Sequence, residues 1–259
     1  MDKERAGIQS VEVGFALLHA LSRARGALML KDLAAAARMS PAKAHRYLVS
    51  FQRLGLVVQD SRSARYDLGP AALHLGLASL QRLDPVRLAR ERLPALQQHI
   101  PHTLALAVWG NHGPTLIHWE PSPHAVLAHL RLGDVMPLLT SATGRCFATW
   151  MPPAVIAPLV AAEVQHQPPG HDAAKILAAL QHETRSHGCA RVVHTLLPGT
   201  AAFCAPVWDA SGHLALCVLA LGPVSTFDTA WDGAVATPLR AMAQALSHDL
   251  GTPPMGAGT

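Results

Sequence analysis

Residues 31–69, KDLAAAARMSPAKAHRYLVSFQRLGLVVQDSRSARYDLG, read as a short helix, a turn, a second helix and a two-stranded ribbon. Ser40 is placed to cap the second helix, and Pro41 occupies its first turn, where a missing N–H costs nothing. At 100° per residue, Ala44, Tyr47, Leu48, Phe51 and Leu54 share one side of that helix. Ala42, Arg46, Val49 and Arg53 share the other, flanked by Lys43 and His45. Gly55 ends the helix, as glycine commonly does. Leu56-Val57-Val58 and Tyr66-Asp67-Leu68 then read as strands, with the tip of their hairpin at Ser61–Arg65.

Charge says what this unit is suited to. From Arg38 to Arg65 there are six Lys/Arg against one acid, Asp60. A helix with Arg and Lys opposite an apolar seam fits a DNA major groove. A basic hairpin tip beside it suits phosphates or the minor groove. The residues assigned to DNA are Ser40, Ala42, Lys43, His45, Arg46 and Arg53 on the helix, with Arg62 and Arg65 on the tip. The plain alternative for the helix alone is a solvated amphipathic surface. It loses ground once helix, turn and basic hairpin occur together.

Beyond that stretch, 259 residues suggest two modest domains, each able to bury a core. No apolar run reaches the roughly 18 residues of a membrane span. The opening MDKERAGIQS is charged and lacks an apolar h-region, so no secretory signal and a cytoplasmic location are expected. Residues 1–70 carry a net charge of +5 and residues 71–259 a net of −1. A basic head on a near-neutral apolar body is what a DNA-anchored binding protein would show.

Upstream, Ser10–Ala24 has helical spacing at Val13, Leu17, Leu18 and Leu21, with Ser10 as the expected cap. Phe15, Ala16 and Ala20 add apolar surface that a three-helix domain cannot wholly bury, which suits a two-fold partner. Downstream, residues 71–99 read as one or two linker helices, the second capped by Asp84 with Pro85 at its first position. From Thr103 strands and helices mix. Strands are expected at Leu104–Val108, Thr115–Trp119, Ala125–Leu130, Ala190–His194, Ala201–Trp208 and Leu214–Leu221. Leu138–Arg145 is expected to pass from a loop into a helix ending near Met151, with further helices at Pro153–Val164, Asp172–His187 and Phe227–Leu250, before a disordered tail at 251–259. The fold class is therefore α+β, with residues 1–70 binding DNA and residues 100–250 forming a sensor.

Motifs of chemistry are sparse. Sixteen histidines invite a metal, but His99 and His102 are separated by a proline, and His182 and His187 are badly spaced on one helix. There is no HExxH. Cys146, Cys189, Cys204 and Cys217 lie far apart with no CxxC spacing, and read as small buried hydrophobes in a reducing compartment. Serine-hydrolase, P-loop and dinucleotide markers are missing. No catalytic residue, metal or cofactor is assigned. An enzyme carrying the helix-turn-helix as an appendage stays open as the second reading. Ser141, Thr143 and Arg145 at a helix N-terminus could then hold an anion.

With these residues assembled, the chain resembles an IclR-family transcriptional regulator. The likeness lies in Ala44-His45-Arg46-Tyr47-Leu48, Leu54-Gly55-Leu56-Val57 and Arg65-Tyr66-Asp67-Leu68-Gly69. It continues in Leu132-Gly133-Asp134, Met136-Pro137-Leu138, Thr143-Gly144-Arg145, Ala205-Pro206-Val207-Trp208-Asp209 and Leu219-Ala220-Leu221-Gly222-Pro223. It spans about residues 8–250. The resemblance implies a winged helix-turn-helix, a linker helix and a GAF-like effector-binding domain. It also implies dimers or tetramers, double-stranded operator DNA, and a small-molecule effector controlling repression or activation. The family usually has Gly in the turn before the recognition helix; this chain has Arg38. Carried over, the effector pocket falls on Met136, Ser141, Ala142, Thr143, Val192, Ala202, Leu219 and Leu221. Members that bind small polar acids place polar groups at the last four positions, where this chain has only hydrocarbon. An apolar or aromatic effector, including an aromatic acid, is therefore expected; Arg131 is a further candidate anchor, with a solvated strand-end arginine as the preferred reading.

Overall fold

The computed structural model describes residues 7–122, 130–165 and 172–252. The chain divides into two compact units, Met1–Arg82 and Leu83–Thr259.

In the first unit, α1 (Gln9–Arg23), α2 (Leu30–Ala36) and α3 (Pro41–Arg53) precede a hairpin of β1 (Val57–Gln59) and β2 (Tyr66–Leu68), and α4 (Pro70–Arg82) closes the unit. Leu17, Leu21, Leu33, Ala34, Ala44, Leu48, Val57 and Tyr66 make the core. Leu28 adds a bridge to Tyr66, exchanging backbone bonds of 2.9 and 2.8 Å, so the wing has a third edge. Arg38 sits at φ 54° in the turn between α2 and α3. That is left-handed backbone, which explains why glycine would be at home there. Two details differ from expectation. Ser10 lies inside α1, whose N-cap is Ile8 with no side-chain cap bond. Leu54 caps α3 and is 65% exposed, because the chain turns away at Gly55 (φ 70°) before that position can face the core.

The second unit begins with α5 (Pro85–Gln97), capped as expected by Asp84, whose carboxylate accepts from the Val86 and Arg87 N–H groups at 3.0 Å. Of the two helices read as a linker, α4 belongs to the first unit and α5 to the second. Then follow β3 (Thr103–Gly110), β4 (Gly113–Glu120), α6 (Ala142–Trp150), α7 (Pro153–Gln165), α8 (Ala173–His187), β5 (Ala190–Val193), β6 (Thr200–Trp208), β7 (Leu214–Pro223) and α9 (Ala236–Asp249). Among the described residues the sheet is antiparallel throughout, in the order β4-β3-β7-β6-β5. Most of the expected strand at Ala125–Leu130 lies outside the described residues; Leu130 itself is not in a strand.

Both faces of this sheet are covered, so its strands are apolar on both sides. One face carries Leu104, Leu106, Phe203, Ala205, Val207, Leu216, Val218 and Ala220 against Leu93 and Leu96 of α5 and Leu239, Ala243 and Leu246 of α9. The other carries Ala105, Ala107, Val192, Cys204, Cys217, Leu219 and Leu221 against Ala142, Cys146 and Phe147 of α6. A further cluster joins Ala148 of α6 to Ile156 and Val160 of α7 and to Leu177 and Leu180 of α8. The last helix begins nine residues later than the sequence pattern suggests. Asp228 is the reason: its carboxylate accepts from the Ala230 N–H at 3.0 Å and the Ala234 N–H at 2.7 Å. Those bonds fold the preceding segment into turns and compete with helix formation.

Candidate functional site

The reading surface of the first unit is built by α3. Ser40 caps it, accepting from the Lys43 N–H at 3.4 Å, and Pro41 takes the first position. Ala44 and Leu48 are buried and Tyr47 and Phe51 partly so, which turns Ala42, Lys43, His45, Arg46 and Arg53 outward, all exposed. Helix periodicity alone dictates that split. On the wing, the Asp60 carboxylate gathers the tip, accepting from the Arg62 N–H, the Ser63 N–H and the Ser63 hydroxyl at 3.1, 2.7 and 2.8 Å. Bonds from Ser63, then that from the Arg62 N–H, hold Asp60 below the ordinary carboxylate value. Arg62 is exposed; Arg65 is also exposed, but one guanidinium nitrogen donates to the Ala27 carbonyl at 3.0 Å. Arg65 thus braces the wing as well as presenting charge.

In the second unit, a small cavity of about 30 Å³ lies between the sheet and the start of α6. All eight residues assigned to the effector line it: Met136, Ser141, Ala142, Thr143, Val192, Ala202, Leu219 and Leu221. The strands bring four of these together, since Val192 pairs with Ala202, and Ala202 with Leu221. Met136 is positioned by its N–H donating to the Pro114 carbonyl at 2.7 Å, which lays that segment beside β4. The wall also includes Leu130, Leu196, Leu197, Thr200 and Ala201, which sequence reasoning missed. A signal existed for most of them, because the connection from Val192 to Ala202 must pass that end of the sheet. Arg131 is exposed and outside the wall, which fits the reading of a solvated arginine, and its backbone N–H donates to Asp134 at 2.7 Å.

The polar atoms here divide into spent and unspent. Ser141 is spent: its hydroxyl donates to the Pro137 carbonyl at 2.6 Å and accepts from the Gly144 N–H at 2.8 Å. Thr143 is fully buried, and its hydroxyl has only the Cys204 thiol beside it among the described residues. Behind them Arg145 ties three segments, donating from Nε to the Leu139 carbonyl at 2.9 Å and from a guanidinium nitrogen to the Arg191 carbonyl at 2.8 Å. Burial draws its guanidinium below the ordinary value while Glu183 pulls it back. Glu163 accepts from the Leu138 and Leu139 N–H groups at 2.5 and 3.0 Å, holding the turn that leads into α6. Gly144 is required there: a Cβ would lie 1.9 Å from the Pro137 oxygen.

The four cysteines are buried, as hydrophobes would be. Three of them nevertheless meet: the sulfurs of Cys146, Cys204 and Cys217 all lie within 4.8 Å of one another. Linear spacing hid this. The hairpin register did carry a hint, because pairing Cys204 with Leu219 and Pro206 with Cys217 makes the two cysteines diagonal neighbours on one face. Of the histidines in the suspected pairs, His187 stacks on Trp231 with ring centroids 3.9 Å apart, and His102 packs on Phe227 at 4.9 Å.

A cationic winged helix-turn-helix and a sheet module enclosing an apolar cavity define a DNA-anchored sensor. Residues 10–61 match the IclR helix-turn-helix domain, and residues 77–248 match the bacterial transcriptional regulator IclR C-terminal domain. The chain belongs to the IclR family of bacterial transcriptional regulators. Among solved structures, Pseudomonas aeruginosa HmgR is 35% identical with a TM-score of 0.88, covering 96% of this chain and 100% of that one. The Agobacterium tumefaciens repressor BlcR shares the fold at 20% identity and TM-score 0.79, over 95% of this chain and 98% of that one. The regulator KdgR of Escherichia coli is 27% identical over 150 residues, 58% of this chain and 57% of that protein, so the match spans little more than half of that relative. The glycerol operon regulatory protein of Streptomyces griseus is 29% identical over 248 residues, 94% of this chain and 97% of that protein. KdgR is a transcriptional regulator and the Streptomyces griseus protein an operon regulatory protein, and both units of this chain match one family of transcriptional regulators, which disfavours an enzyme with an appended helix-turn-helix. No helix among the described residues is long and apolar enough to cross a membrane.

Proposed function

We propose that the protein binds a pseudo-palindromic operator in the cytoplasm as a homodimer or tetramer, and that an apolar or aromatic small molecule, an aromatic acid included, controls that binding. The DNA arm of this reading rests on the exposed Lys43, His45, Arg46 and Arg53 opposite the buried Ala44 and Leu48. Assembly is supported by Ile8, Val11 and Phe15, whose i, i+3, i+7 spacing leaves an exposed apolar stripe along α1.

The effector arm is carried by one observation: Val192, Ala202, Leu219 and Leu221 meet on one wall of the cavity and offer only hydrocarbon. A carboxylate pressed there without partners would cost several kcal/mol. An aromatic ring, burying on the order of 150–250 Å², would gain roughly 4–6 kcal/mol. Thr143 and the first N–H groups of α6 supply a polar end for such a ligand. The cavity holds about 30 Å³, close to a single water, so a ring is accommodated only if the wall moves apart.

The test is binding of the full chain to the DNA upstream of its own gene, followed by fluorescence anisotropy, with and without ligands. Arg46→Ala should cost roughly 1–3 kcal/mol and relax preference at one position per half-site. Aromatic acids should raise the melting temperature, glyoxylate and pyruvate should not, and Leu219→Asp should abolish that response with operator binding kept. Intact specificity in Arg46→Ala would remove the helix assignment. Stabilisation by glyoxylate with no aromatic response would remove the effector assignment.

A further inference from the structure

The cysteine cluster behind the cavity is an organised group. Cys146 sits on the inner side of α6, three residues after Thr143, so the two side chains share a face. Cys204 and Cys217 project from adjacent strands of the sheet toward it. All three are fully buried, and the Cys146 and Cys217 sulfurs are 3.5 Å apart. Thiolates bound to one ion at about 2.3 Å stand roughly 3.3–4.0 Å from one another for bond angles between 90° and 120°. The cluster is therefore close to the size of a three-sulfur coordination shell. Among the described residues no fourth Cys, His, Asp or Glu joins it.

Charge decides what such a shell could hold. Burial pushes Cys146 and Cys217 well above an ordinary thiol. The groups beside the three sulfurs are one another, Cys189 and Thr143, none of them cationic. Three thiolates around zinc would leave one uncompensated negative charge in the core, and around cuprous ion two; both are costly without a paired cation. A trivalent ion would leave none.

We propose that Cys146, Cys204 and Cys217 form a three-thiolate site for a trivalent thiophilic metalloid hydroxide, of the arsenite class. Three metalloid–oxygen bonds break and three metalloid–sulfur bonds form. The three thiols release three waters, with no change of oxidation state. Entry is through the effector cavity, since Thr143 lines that cavity and borders Cys204, and Leu219 lines it while pairing with Cys204. The site stands whether or not the effector reading holds, because its test reads the metalloid directly.

Reduced full-length protein is incubated with arsenite and examined by native mass spectrometry and arsenic X-ray absorption. The expected result is a mass gain of one arsenic less three hydrogens per chain, with three sulfur and no oxygen neighbours. Cys146→Ser, Cys204→Ser and Cys217→Ser should each weaken retention by roughly tenfold or more. Cys189→Ser, whose sulfur lies in the cluster on the other face of the sheet, should retain it fully. Should a core variant fail to fold, the sulfur count in the unmodified protein and the Cys189→Ser control still decide the matter. Oxygen neighbours on arsenic, dependence on Cys189, or displacement of arsenite by stoichiometric zinc or cuprous ion would each overturn the proposal.

Discussion

Replacing Arg145 by Met tests whether the start of α6 is held by this one side chain. The guanidinium makes two charge-assisted bonds to backbone carbonyls, at Leu139 and Arg191, and each is worth about 1.5–3 kcal/mol. Methionine fills similar volume but leaves both carbonyls without their donor. Because Arg145 is only partly buried, water recovers some of the loss, and a net cost of about 2–4 kcal/mol is expected. For a domain of this size that corresponds to a fall of roughly 4–15 °C in melting temperature. Calorimetry of the full chain should show the transition of the second unit moving and that of the first staying in place. Arg145→Lys keeps the charge but not the fork, and should recover less than half of the loss. The effector response should weaken in parallel, since Ala142 and Thr143 lie on the same helical turn as Arg145. A fall of less than about 2 °C, or movement of the first unit's transition, would refute the reasoning.

Two further perturbations follow from the same geometry. Gly144→Ala places a Cβ 1.9 Å from the Pro137 oxygen and 2.6 Å from the Leu138 Cα, both backbone, so α6 must back away. A loss beyond about 3 kcal/mol in denaturant unfolding is expected, and an unchanged midpoint would show that the turn yields freely. Asp60 gives a pH signature at the wing tip. Its folded value lies below the ordinary 3.8, so its contribution is complete above that value and fades as pH falls through the lower folded value. The Ser63 amide resonance should titrate below pH 3.8 in the native protein and lose that titration in Asp60→Asn; a midpoint above 3.8 would contradict the bonds drawn to Asp60.

How much could be read from residue order depended on which contacts are local. The recognition helix was legible because its cap, its first-turn proline and its 3.6-residue spacing all lie within Ser40–Leu54 and agree. Leu54 escaped because periodicity continues to count after Gly55 has already turned the chain. The cavity wall was reached only through the family resemblance, not through spacing; the strand pairing of Val192 with Ala202 and of Ala202 with Leu221 shows afterwards why those positions meet. The third edge of the wing, Leu28 against Tyr66, joins segments nearly forty residues apart and has no local signature. The helix start at Ala236 was hidden because Asp228 diverts the backbone through its side chain, a competition that hydrophobic spacing does not register.

The two hydroxyls at the head of α6 carry that argument furthest. Ser141 and Thr143 look equivalent in sequence, both small, both near a helix start, both assigned to the same pocket. Helix geometry separates them. The residue at the N-cap aims its oxygen back at the N–H two or three positions on, and Ser141 does so with Gly144 while donating to Pro137. Thr143, two residues later, is already inside the first turn, where its side chain projects onto the sheet beside Cys204. It is fully buried and has no backbone group to satisfy it. A buried hydroxyl left in that condition costs about 1–3 kcal/mol. It sits where the cavity and the cysteine cluster meet, so a guest on either side of it can repay that cost. Thr143→Val should therefore leave the fold as stable or more so and weaken the response to any ligand that uses the hydroxyl.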